Sequence, residues 1–153
     1  MRIVVAPDSF KGTLTAEEAG EAIRLGLLDA RPDIVVDVIP LADGGEGTVE
    51  SIIDATGGSL VRVKVTGPLS REVDSSFGIS GDMETAVIEM AAASGIQLIS
   101  ADERDPWITT SYGTGELIRA ALDRGCRTIL IGIGGSATND FGSGMAEALG
   151  VRF

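Results

Sequence analysis

Residues 128–149 open on Thr-Ile-Leu-Ile-Gly, break into a polar turn with glycine at 132, 134, 135, 142 and 144, and close on Met-Ala-Glu-Ala-Leu. An apolar run, a glycine-rich turn and a helical segment in that order describe a buried strand feeding a helix. Such a unit aims backbone N–H groups, at the positive end of a helix dipole, into the turn, a ready place for an anion or phosphate. The pattern recurs twice nearer the N-terminus. The expected fold class is therefore α/β, a Rossmann-like parallel sheet joined by helical crossovers.

Residues 3–6, Ile-Val-Val-Ala, read as a short strand buried on both faces and ended by Pro7. Thr15 and Glu18 have the spacing of a capping box, so a helix is expected from Ala16, with Ala19, Ala22, Ile23, Leu27 and Ala30 on one face. Residues 34–39 form a second strand, the loop 41–48 follows, and the next helix carries Val49, Ile52 and Ile53 before stopping at Gly57-Gly58. Beyond that the pattern changes. Residues 60–65 alternate apolar and charged, and 73–79 and 85–90 read as further strands of an antiparallel meander. Residues 1–66 are accordingly expected to belong to a first, parallel-sheet domain, and 67–153 to begin a second, mixed α/β domain, with the boundary near Gly67. A short helix at 91–95, a helix carrying Leu117, Ile118, Ala121 and Leu122, and the strand and helix of the opening stretch complete the order. The last residues, Gly-Val-Arg-Phe at 150–153, read as entry into another strand. A sheet broken off there would leave an edge unpaired, so a truncated chain, or a partner that completes the sheet, is expected.

Composition removes several chemistries. The 153 residues hold no histidine and one cysteine, Cys126. Ser-His-Asp and Cys-His nucleophiles, histidine-ligated metals and internal disulfides are thereby excluded. Chemistry must rest on carboxylates, Lys, Arg, hydroxyls, backbone amides and a hard cation such as Mg²⁺. A net charge of −11 argues against nucleic-acid and anionic-membrane partners. No apolar run has the length of a signal-peptide core or a membrane span, so a cytoplasmic location is expected.

Three glycine-bearing loops follow expected strands, at 8–12, 43–48 and 132–144, and a fourth at 113–115 precedes a helix. In an open α/β sheet ligands bind beyond the carboxyl ends of the strands, where the first three would converge. Each also has a plainer reading. Tight strand-to-helix turns use glycine in any case. Asp43 and Glu46 suit Mg²⁺ or a polarised hydroxyl, and equally a helix N-terminus. Lys11 suits a phosphate or carboxylate, and equally solvent. Asn139 and Asp140 suit a metal or a helix cap. The run 132–137 satisfies G-x-G-x-x-A, but the first strand lacks that fingerprint and the expected ribose-binding acid would fall at the chain's end. A dinucleotide-binding oxidoreductase is thus the weaker alternative, and a Walker P-loop is missing.

Taken together, Ala-Pro-Asp-Ser-Phe-Lys-Gly at 6–12, Ala-Asp-Gly-Gly-Glu-Gly-Thr at 42–48, Gly-Thr-Gly-Glu-Leu-Ile at 113–118 and Gly-Ile-Gly-Gly-Ser-Ala-Thr-Asn-Asp at 132–140 resemble the bacterial glycerate kinases of the 2-phosphoglycerate-forming type. Residues 66–69 and 88–95 match as well, so the resemblance spans the chain. It implies ATP-dependent, Mg²⁺-assisted phosphorylation of D-glycerate between two α/β domains, one of them Rossmann-like and discontinuous in sequence. On that reading Asp43 is the base or metal ligand, supported by Glu46, and Lys11 contacts phosphate or the substrate carboxylate. Asp8, Ser9, Gly44 and Gly45 belong to the substrate site. So do Gly134, Gly135, Ser136, Ala137, Thr138 and Asn139, and Asp140 is a metal candidate. Family members are more than twice this length, so a homo-oligomer or a missing C-terminal half is the expected partner. A non-catalytic, ligand-binding half is the main alternative. The family pattern has glycine where this chain has Phe141, a departure expected to narrow the pocket or alter the turn.

Overall fold

The computed structural model describes residues 1–10 and 13–153. The chain divides into two compact units, Met1–Asp43 and Gly44–Phe153.

In the first unit, strands β1 (Arg2–Val5) and β2 (Val35–Val38) pair in parallel, joined through helix α1 (Ala16–Ala30). The capping box forms as its spacing predicts: Glu18 N–H donates to Thr15 Oγ1 at 3.1 Å, and Thr15 N–H donates to Glu18 Oε2 at 2.8 Å. The helix is turned from the expected face. Ala19 and Gly20 are buried, whereas Ala22, Ile23 and Ala30 are exposed. The cause is Gly20, where a Cβ would stand 2.4 Å from Val38 Cγ1, so the helix backbone lies directly against β2. β1 departs from expectation too, since Val4 is 58% exposed. With one helix against a two-stranded sheet, only one face is covered within this unit.

The second unit holds a sheet in the order β3-β4-β5-β6, comprising β3 (Ser59–Thr66), β4 (Glu72–Ile79), β5 (Thr85–Glu89) and β6 (Thr128–Gly132). The first two pairings are antiparallel, as the meander requires, and β5–β6 is parallel. The expected division at 66/67 falls at the turn of the β3–β4 hairpin. Helix α4 (Tyr112–Asp123) crosses from β5 to β6 and covers one face. Its Leu117, Ile118 and Ala121 pack with Val65, Phe77, Ile79, Ala86, Ile88 and Cys126. Helix α2 (Thr48–Thr56) covers the other face, with Val49 and Ile53 over Gly78. Two short helices, α3 (Ala91–Ser94) and α5 (Ser143–Ala148), follow β5 and β6.

β6 is not the buried strand that its apolar run predicts. It stands at the sheet edge, with Leu130 46% and Ile131 38% exposed. An apolar run records what a strand is made of, not what covers it. Gly113 and Gly115, expected in a loop, lie buried in the first turn of α4. Among the described residues, no helix is long and apolar enough to cross a membrane.

Candidate functional site

The carboxyl ends of β5 and β6 are adjacent, Glu89 pairing with Gly132, and the loops that leave them are laced together by main-chain bonds. Met90 N–H donates to Gly132 O, Ile96 N–H to Gly135 O, and Ala137 N–H to Ser94 O, all at 2.8–2.9 Å. The 44–48 loop joins them. Gly134 N–H donates to Gly44 O at 3.2 Å, and a Cβ at Gly132 would sit 2.3 Å from that same oxygen. Only glycine at 132 lets the two backbones meet, so the sequence motif is here a packing requirement.

Gly44, Gly45 and Glu46 are thereby brought beside the 134–139 loop, with Glu46 exposed. Not every amide of that loop is open to an anion. Those of Gly134, Ala137 and Thr138 donate to Gly44 O, Ser94 O and Ser136 Oγ, while those of Gly135, Ser136 and Asn139 have no acceptor among the described residues. A cleft of about 400 Å³ opens beside the loop. Met90, Ile131, Ile133 and Met145 give it apolar walls, and Ser136, Thr138, Asn139 and Asp140 a polar rim.

Asp140 is engaged by the protein itself. Its Oδ2 accepts from Ser111 N at 2.8 Å, Ser111 Oγ at 2.9 Å and Gly144 N at 3.2 Å, and its Oδ1 accepts from Gly142 N at 3.1 Å. Burial pushes this carboxyl up, but the four hydrogen bonds outweigh it and hold the group below the usual carboxylate range. Of its two sequence readings, metal ligand or helix cap, these contacts are those of a cap joining the starts of α4 and α5.

Among the described residues no group of three or more His, Cys, Asp or Glu side chains is arranged to hold a metal. Mg²⁺ is ordinarily held by one or two carboxylates plus phosphate oxygens and water, and the exposed Glu46 of the 44–48 loop is a carboxylate that would fit such a role.

In the first unit Asp8 and Ser9 are exposed after β1, with Ser9 N–H donating to Asp8 Oδ1 at 2.6 Å. Asp43 is exposed at the unit's last position. Lys11 lies outside the described residues. Two polar residues that the sequence reading left without a role belong to the site in the second unit, Ser111 and Glu89. The signal for Glu89 was a carboxylate ending an otherwise apolar strand.

Phe141 has φ of 54° and a fully exposed ring. A left-handed conformation costs an L-residue roughly 1–2 kcal/mol, of which glycine's extra unfolded-state entropy returns about half on substitution. Phe141→Gly is expected to gain about 0.5–1 kcal/mol, seen as a Tm higher by about 2 °C, with activity equal or better. A fall in Tm, or a large loss of activity, would show that the ring has a role of its own.

Comparison with known proteins bears on all of these loops. The family model described as "Glycerate kinase family" matches residues 3–153. Glycerate kinase from Haemophilus influenzae is 56% identical over 152 residues, covering 99% of this chain and 40% of that protein. Glycerate 2-kinase from Escherichia coli K12 is 57% identical with the same coverage. A Salmonella typhimurium LT2 crystal structure assigned to glycerate kinase 2 superimposes with a TM-score of 0.82 at 56% identity, covering 99% of this chain and 41% of that one. The chain therefore spans about 40% of the length of the relatives it matches.

Proposed function

Because the chain belongs to the glycerate kinase family, we propose that its site serves the ATP-dependent phosphorylation of D-glycerate to 2-phosphoglycerate. The observation that carries this reading is the backbone contact of Gly44 with Gly132 and Gly134, which joins two of the family's loops at the carboxyl ends of a sheet. That is where α/β proteins hold ligands.

In-line phosphoryl transfer asks a protein mainly for positioning and charge stabilisation. In the proposed reaction a glycerate hydroxyl oxygen bonds to the γ-phosphorus of MgATP as the bond to ADP breaks. Asp43, supported by Glu46, receives the hydroxyl proton or, where that proton leaves to solvent, would help hold the Mg²⁺ that offsets the phosphate charge. Lys11 contacts a phosphate or the glycerate carboxylate. The amides of Gly135, Ser136 and Asn139 are the donors of the 134–139 loop that remain for an anion. Asp8 and Ser9 contribute to substrate binding.

ADP release coupled to D-glycerate tests the reading, on this chain and on a form extended to the relatives' length, with the product identified by phosphorus NMR. Turnover giving the 2-phosphate supports it; turnover in neither form, with tight NAD binding instead, overturns it. A second reading, a half that binds ligand without turnover, is favoured by the 40% coverage of the relatives. Turnover confined to the longer form would support that one.

A further inference from the structure

Glu89 closes β5 after three fully buried apolar residues, Ala86, Val87 and Ile88. Strand alternation turns Ala86 and Ile88 into the core beneath α4, and Val87 and Glu89 to the opposite face, where α2 lies. There Glu89 Oε1 accepts a hydrogen bond from Val49 N at 3.0 Å, across forty positions of sequence. The amides of Thr48 and Gly47 also act on the carboxylate. Helix α2 has no cap of its own, because its N-cap residue is Gly47, in the left-handed conformation and with no side chain to offer. A carboxylate from a neighbouring strand does that work, and it sits where the helix dipole favours negative charge.

The contacts continue from there into both glycine loops. Thr48, the first residue of α2, donates through Oγ1 to Gly45 O at 2.8 Å and accepts from Gly44 N at 3.2 Å. Gly44 O in turn holds Gly134 N. We propose that Glu89 is the positioning residue of the site: by fixing the start of α2 it sets the place of the 44–48 loop and, through Gly44, of the 134–139 loop. This rests on the reading of those loops as the working surface of a phosphoryl transfer.

The charge state supports a functional role over plain helix capping. Burial pushes the Glu89 carboxyl up, the amides of Val49, Thr48 and Gly47 draw it back in part, and the negative charge of Glu50 on α2 raises it further. A neutral acceptor would cap α2 without burying a charge. An ionised acceptor, however, holds amides roughly twice as strongly as a neutral one. Proton uptake should therefore loosen both loops at a pH above the ordinary carboxylate range.

The test compares wild type, Glu89→Ala and Glu89→Gln by kcat and KM across pH, with amide hydrogen exchange of residues 44–49 on the same samples. Misplacing reacting groups by an ångström costs about a hundredfold, so Glu89→Ala should lower kcat by about tenfold to a hundredfold, more than it raises KM, and speed exchange in 44–49. Glu89→Gln, a neutral acceptor at every pH, should restore only part of the lost kcat, to near the low-pH level of wild type, and its profile should lack the acid limb of wild type. Wild-type kcat and pH profile in a folded Glu89→Ala protein would overturn the proposal. Should that variant not fold, an unaltered acid limb in Glu89→Gln would overturn it. Absence of phosphoryl transfer from wild type, in this chain and in the longer form, would instead overturn the functional reading, and the positioning role with it.

Discussion

Asp140→Ala is expected to lower the stability of the second unit by about 2–4 kcal/mol, or about 5–12 °C in Tm. The carboxylate takes four hydrogen bonds, three from main-chain amides at positions 111, 142 and 144. Alanine leaves those donors without an acceptor at the junction of α4 and α5. Ser111 Oγ, which also accepts from Met145 N at 3.0 Å, loses its orientation at the same time. Asparagine keeps the shape but offers one acceptor oxygen, so Asp140→Asn should fall between. The pH dependence has a definite sign. The folded carboxyl lies below its ordinary value of 3.8, so this stabilisation is present above that value and lost as pH falls through the lower folded one. Because the group is partly open to water, that pH-dependent part is a fraction of the mutational loss. Thermal unfolding at pH 7 and pH 3 checks both points. An unchanged Tm at pH 7 would show that the cap is dispensable.

Asp43→Asn should remove turnover of D-glycerate and MgATP by about 10²–10⁴-fold, the usual contribution of a positioned proton acceptor. The side chain is exposed and the replacement nearly isosteric, so the fold should survive with an unchanged Tm. That pairing separates chemistry from stability, whereas Asp140→Ala is expected to act on stability. The assay is steady-state ADP release in whichever form of the protein turns over, with circular dichroism on the same sample. A kcat near wild type would take Asp43 out of the mechanism and leave Glu46 as the carboxylate of that loop.

Legibility in the sequence followed distance along the chain. Thr15 and Glu18 are three positions apart, and both hydrogen bonds of their capping box form. Gly57 ends α2 with φ of 68°, as a glycine there should. The alternation in 60–65 sends Val61, Val63 and Val65 to the core and leaves Arg62 and Lys64 exposed. What failed depended on partners far away or on packing. The runs of β1 and β6 are apolar without being enclosed, and α1 is turned by a contact at Gly20 that no helical period encodes. Glu89 escaped notice because the amides it serves belong to another element, forty residues earlier. Asp140 had two readings because Asn and Asp at a glycine turn suit caps and ligands alike; its choice of Ser111, twenty-nine positions back, is a tertiary fact.

The slender core of the first unit sets how that part of the chain breathes. Among its described residues, Val5, Ala19 and Ile34 are the apolar side chains below the surface, under a sheet of two strands. Two strands and one helix are near the least that holds together in water. In a chain of this length, which spans about 40% of its relatives, opening of residues 1–43 should therefore need less free energy than unfolding the Phe77 core, with amide protons there exchanging through local excursions. Any molecule gripping Asp8 and Ser9 would have to quiet those excursions first. Its measured affinity would then report the ordering of this unit as well as the contacts made, and cooling or osmolytes would tighten binding without altering a single contact.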